Sequence, residues 1–185
     1  MFEIFIGYLL GLSLAIPPGP INAIMANESM KSPLHGTSVG AGAMTADFIF
    51  FLIVYFARLE IPSWIYPYLY MIGGIIMLFM ALSVLRAKER KTNRKGNYFI
   101  GLSIGLSNPF QIFWWLTAGI FFINEFTYIS LIGFFLGILT WILVFPYGMY
   151  RLTKKYAGYV KIVSFAILLI FSILMFYYAF LNFSF

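Results

Sequence analysis

Apolar positions along the chain gather into six long runs, at about 4–27, 36–57, 66–86, 98–122, 127–149 and 160–181, separated by short polar connections. A helix needs about 20 mostly apolar residues to cross roughly 30 Å of hydrocarbon. Each run is long enough. All are too long and too evenly apolar for barrel strands, which alternate over about 10 residues. The pattern predicts an all-α integral membrane protein with six transmembrane helices in one domain, 1–185. The polar stretch before the first run holds Glu3 and no Lys or Arg, the wrong sign for a secretory signal, so that run reads as a permanent span.

A second pattern lies inside the first. Gly11-Leu12-Ser13-Leu14 recurs as Gly101-Leu102-Ser103-Ile104, and at the same offset Pro17-Pro18-Gly19-Pro20 falls on Ser107-Asn108-Pro109-Phe110. Each match sits in the first span of a three-span half, about 1–90 and 91–185. An odd number of spans per half requires the second half to be inserted upside down. That is the inverted-topology repeat from which many secondary transporters are built.

Composition sharpens the class. Hydrophobic residues make up 62% of the chain and charged ones only 10%, where a soluble domain carries about 25% charged. So few charges cannot cover the surface of a soluble domain, which excludes a water-soluble fold and a nucleic-acid-binding domain. The formal net charge of +6 has another explanation. Lys31, then Arg86, Lys88, Arg90, Lys91, Arg94 and Lys95, then Arg151, Lys154, Lys155 and Lys161 all fall in one set of alternate loops, against Arg58 alone on the other side. By the positive-inside rule the loops 28–35, 86–97 and 150–161 are cytoplasmic and both termini lie outside the cell membrane. With no cysteine and a single histidine, His35, thiol chemistry is impossible, and no metal site or cofactor is expected.

Candidate chemistry gathers at the breaks. The three prolines and the glycine of 17–20 cannot continue a helix. At bilayer depth such a break is tolerated only where the freed backbone meets protein, water or a ligand. Two half-helices are expected, the second starting near Pro20 with Asn22 in its first turn, its free N–H groups and positive dipole end facing a substrate carboxylate. Ser107-Asn108-Pro109 repeats the device in span four, where Asn108 and Gln111 offer side-chain hydrogen bonds to a ligand or to a neighbouring helix. Asp47 is the only ionisable residue deep inside a span. A charge there costs roughly 2.5–3.5 kcal/mol on the insertion scale, so Asp47 must face a cavity or a partner, as proton carrier or as ligand for a substrate ammonium. Glu3, Glu28 and Glu125 read as interfacial. Gly36, Gly40, Gly42, Ala43 and Ala46, with Gly101/Gly105 and Gly133/Gly137, form small faces for close helix packing. Trp64, Tyr66, Tyr68 and Tyr70 read as an outer aromatic belt, and Trp114, Trp115 and Trp141 as deeper packing residues.

The Pro-Gly-Pro of span one, Gly42-x-x-x-Ala46-Asp47 in span two and Asn108-Pro109 in span four resemble the lysine-exporter (LysE/RhtB) family of amino-acid efflux transporters. The resemblance covers essentially the whole chain. It implies that Pro18, Gly19, Pro20, Asp47, Asn108 and Pro109 belong to the translocation site. One position departs: many members carry a basic residue where this chain has Phe110, which bears on the charge of the substrate.

The function expected from these readings is a secondary transporter, not an enzyme, that exports an amino acid or a similar small zwitterion by proton exchange. Its partners are the substrate, protons and the lipid bilayer, with room for a homo-oligomer. No Gly-x-x-x-x-Gly-Lys-Ser/Thr loop is present to power the chain with nucleotide. A metal-cation exporter of the same architecture, and a membrane enzyme or assembly factor, are the rivals. One deep acid without thiols makes a poor cation site, and no nucleophile–base pair is visible at depth.

Overall fold

The computed structural model describes residues 2–16, 19–86, 97–151 and 157–183. Pro17 and Pro18, the basic residues of 88–95, and Lys154 and Lys155 lie outside the described residues. Helices make up nearly all of the rest: α1 (Phe2–Ala15), α2 (Pro20–Ser29), α3 (Pro33–Ala57), α4 (Tyr66–Arg86), α5 (Tyr98–Ser107), α6 (Pro109–Trp114), α7 (Ile120–Glu125), α8 (Tyr128–Arg151) and α9 (Ala157–Phe183). Among the described residues there is no strand.

The long helices behind α3, α4, α8 and α9 are each apolar and long enough to cross a bilayer, and two bent pairs complete a six-span set. Helix α1 meets α2 at 82°, and α5 meets the helix continuing to Glu125 at 61°. Both breaks follow from local chemistry. Gly19 is extended and Pro20 occupies the first turn of α2, where its missing N–H costs nothing. Asn108 is extended because the residue before a proline is pushed out of the helical region. Its side chain then caps the new helix, Oδ1 accepting from Phe110 N at 3.1 Å.

Past its break the second bent span widens. Residues Trp115–Gly119 form one π-helical turn between α6 and α7. Such turns hold an extra residue and are frequent at functional sites.

Small residues decide which helices touch. Gly7 and Gly11 of α1 lie on the backbone of Ser130 and Phe134 in α8, while Gly133 and Gly137 of α8 lie on the backbone of Ile4 and Tyr8 in α1. In the same way Gly42 of α3 lies on Tyr98 of α5, Gly101 of α5 on Val39 of α3, and Gly105 against Ala46. Gly73 and Gly74 of α4 receive Met175 and Phe176 of α9. Helices therefore pair as α1 with α8, α5 with α3, and α4 with α9, and α2 lies against α3, α8 and α5. Without a hydrophobic drive between helices in lipid, such close backbone approach supplies the attraction.

Of the four residues read as an aromatic belt, Tyr66 is half-buried. Trp64 and Tyr68 are exposed, but Tyr70 is buried, its ring edge-on to Phe121 at 5.0 Å. Glu28, read as interfacial, is buried too, and pairs with Lys31 at 2.8 Å.

Candidate functional site

Asp47 sits nearly three turns before the C-terminal end of α3 on the face that carries Ala43 and Ala46, and it is only 7% exposed. That face is drawn inward because Gly42, Ala43 and Ala46 let α5 approach. The break after Asn108 then starts a fresh helix whose first turns point at the same place. Gln111 Nε2 donates to Asp47 Oδ1 at 2.7 Å, and Trp115 Nε1 donates to the same oxygen at 2.8 Å. Gln111 and Trp115 are four residues apart, so one face of the helix presents both donors.

Both hydrogen bonds end on Oδ1. Asp47 Oδ2 accepts none among the described residues. A carboxylate held this way has one oxygen committed to the protein and one left for a proton or an ammonium group. Among the described residues no salt bridge reaches it. Rings enclose the site: Phe51 lies 6.1 Å from Trp115, and Trp114 and Phe134 lie 5.1 and 5.6 Å from it.

The first break is built differently. Asn22 Nδ2 donates to Ala15 O at 2.7 Å and to Ile16 O at 3.4 Å, the carbonyls released where α1 ends. Trp141 Nε1 of α8 donates to Asn22 Oδ1 at 3.2 Å. The amide expected to reach a ligand is thus turned back onto its own break. Gly19 O receives Ala23 N at 2.9 Å, and Pro20 is exposed.

With this geometry in place, a comparison decides the family. The model of the LysE type translocator matches residues 12–182. The chain belongs to the LysE type translocator family. A Bacillus subtilis (strain 168) protein named "Putative amino acid efflux protein YcgF" is 30% identical over 161 residues, covering 75% of this chain and 77% of its own length. No solved structure matches. The protein is accordingly a multi-pass membrane transporter.

In this LysE type translocator the structure joins Asp47 to Gln111 and leaves Asn22, Gly19 and Pro20 at the other break. Asn108 acts as a helix cap. Phe110 is half-exposed and stacks on Phe79 with centroids 6.0 Å apart and rings 5° from parallel. The residue the sequence reading undervalued is Trp115. Read as packing, it is fully buried and also the second donor to Asp47. Its four-residue spacing from Gln111 was the available signal.

A polar cluster beyond the C-terminal end of α3 was also unforeseen. Arg58 Nη1 donates to Ile123 O at 3.0 Å and to Asn124 Oδ1 at 3.1 Å, while Tyr66 Oη donates to Arg58 O at 2.8 Å. Asn124 Nδ2 donates to Tyr70 Oη at 3.2 Å, and Tyr70 Oη donates to Glu125 Oε1 at 3.0 Å. Arg58 satisfies the Ile123 carbonyl that the end of α7 leaves open, and the cluster ties the C-terminal ends of α3 and α7 to the N-terminal end of α4.

Proposed function

We propose that this translocator exports an amino acid or a similar small zwitterion from the cell by proton exchange, with Asp47 as the coupling carboxylate. The observation that carries the reading is the half-occupied carboxylate. Asp47 is buried, its Oδ1 takes two protein donors, and its Oδ2 takes none among the described residues. A buried carboxyl with one open oxygen is suited to binding a proton and a substrate ammonium in turn. The Bacillus relative, named for amino acid efflux, supports the substrate class.

The same proposal includes two inverted three-span halves, about 1–90 and 91–185, with both termini outside and loops 28–35, 86–97 and 150–161 cytoplasmic. Helix pairing supports it. A two-fold relation that exchanges the halves turns the α1–α8 contact into the α5–α3 contact and maps the α4–α9 contact onto itself. Gly19 and Pro20 of the first break, with Pro18, Asn22, Asn108, Pro109 and Gln111, complete the proposed translocation site. One proton crossing 100 mV supplies about 2.3 kcal/mol, enough for roughly a fifty-fold gradient.

Purified protein in liposomes loaded with a uniformly 13C-labelled amino-acid mixture tests the reading, with mass spectrometry identifying what moves. The wild type should drive labelled amino acids from its cytoplasmic to its outer face when the outer face is the more acidic, and not when the gradient is reversed. Asp47→Asn keeps shape but cannot titrate, and should abolish the accumulation. If Asp47→Asn still accumulates substrate against its gradient, proton coupling through Asp47 is wrong.

A further inference from the structure

The reading above assigns a role to Asp47 but none to the tryptophan that holds it. We infer that Trp115 is the positioning residue that orients Asp47 and transmits its protonation state to the second bent span; this rests on the proton-exchange reading.

Trp115 and Gln111 both donate to Oδ1, and a carboxyl oxygen that accepts two N–H groups is not the one that takes up a proton. The two donors therefore reserve Oδ2 for the proton or the ammonium. They also tie α3 to the helix beyond the Asn108 break, the one direct side-chain link the described residues provide from Asp47 to that span. A hydrogen bond to an ionised carboxylate is roughly twice as strong as one to a neutral carboxyl. Protonation at Oδ2 weakens both bonds at once and loosens α3 from the second bent span.

A bound proton biases two arrangements of a transporter only by the difference in its interactions with each. The donors on Oδ1 supply such a difference at the site. Of the two, Trp115 stands at the mechanical position. It opens the π-helical turn Trp115–Gly119, whose Ala118 and Thr117 lie against Gly73 of α4, and its ring is pinned by Trp114, Phe51 and Phe134. The turn after it is held by Thr117 Oγ1 donating to Phe113 O at 2.6 Å. Movement of the indole is thus movement of the turn. Trp64, exposed and without a bond to Asp47, serves as the control.

The test replaces Trp115 with 3-benzothienylalanine, which keeps the ring and swaps the N–H for sulfur, and separately with Phe. Two rates are read in liposomes with the 13C amino-acid mixture: accumulation driven by a pH difference, and exchange of labelled for unlabelled amino acids at equal pH. Losing one charge-assisted donor should lower the ratio of accumulation to exchange about tenfold in the benzothienyl protein, while Trp64→Phe leaves that ratio at the wild-type value. A benzothienyl protein with the wild-type ratio overturns the inference. So does one in which both rates fall together, since that is the signature of a packing role. If Trp115→Phe fails to fold, the benzothienyl result alone decides. The two readings fail separately: accumulation by Asp47→Asn removes proton coupling, whereas loss in Asp47→Asn with an intact ratio in both Trp115 variants removes only the role of Trp115.

Discussion

Replacing Gly11 by alanine forces a methyl group into the seam between α1 and α8. An ideal Cβ there lies 2.8 Å from the carbonyl carbon and 3.0 Å from the Cα of Phe134, and the neighbour is backbone that cannot rotate away. Carbon atoms rest at about 3.5–4.0 Å, so the helices must part by roughly 1 Å. A gap of that size forfeits about a quarter to a half of each atom-pair attraction of about 0.1–0.2 kcal/mol, or roughly 3 kcal/mol over about fifty pairs. Alanine returns about 1 kcal/mol through helix propensity. Gly148→Ala measures that gain alone, because nothing lies within 4 Å of a methyl built at Gly148. Thermal unfolding of both purified variants in the same detergent compares them directly. At about 2–4 °C per kcal/mol for a chain of this size, Gly11→Ala should melt roughly 6–12 °C below Gly148→Ala. A midpoint within about 2 °C of that control would show that the seam yields without loss, and the packing argument for all four α1–α8 glycines would go with it.

Tyr70→Phe removes a hydroxyl that serves both Asn124 and Glu125, and should lower stability by about 1–3 kcal/mol in the same melt, whereas Tyr68→Phe, at an exposed position, should leave it unchanged. Asn108→Ala deletes the cap on Phe110 N and should cost about 1 kcal/mol, with Asn108→Asp retaining most of it. Single cysteines in 88–95 of this cysteine-free chain should react with membrane-impermeant maleimide only after the cytoplasmic face is opened; labelling of intact cells would reverse the orientation.

The spans and their breaks were legible in the sequence because each depends on local properties. Run length fixes a crossing, and Gly19-Pro20 and Asn108-Pro109 forbid helix continuation whatever surrounds them. Asp47 was legible for the same reason: a lone acid in apolar sequence must find a partner. Its partners were harder to see. Helices that are apolar on nearly every side show where they cross but not how they are rotated, and rotation decides whether an indole nitrogen meets a carboxylate. Trp114 and Trp115 look alike in sequence. In the structure one donates to Met77 Sδ at 3.2 Å and the other to Asp47. Asn22 was legible only in part: its place beside a proline break stands in the sequence, but not that its amide donates to the freed carbonyls of Ala15 and Ile16.

The π-helical turn at Trp115–Gly119 has a consequence for how this span tolerates change in length. Before it Gln111, with Trp115 at its start, is phased to Asp47; after it Ile123 and Asn124 are phased to Arg58. One residue of α-helix turns by about 100°, so deleting one position inside the turn would make the helix regular and swing one of the two addresses off its target. The span carries two messages written in different phases, and the extra residue is the punctuation that lets both be read. Substitutions elsewhere in it will be tolerated by size and polarity, but insertions and deletions between Gln111 and Ile123 will not.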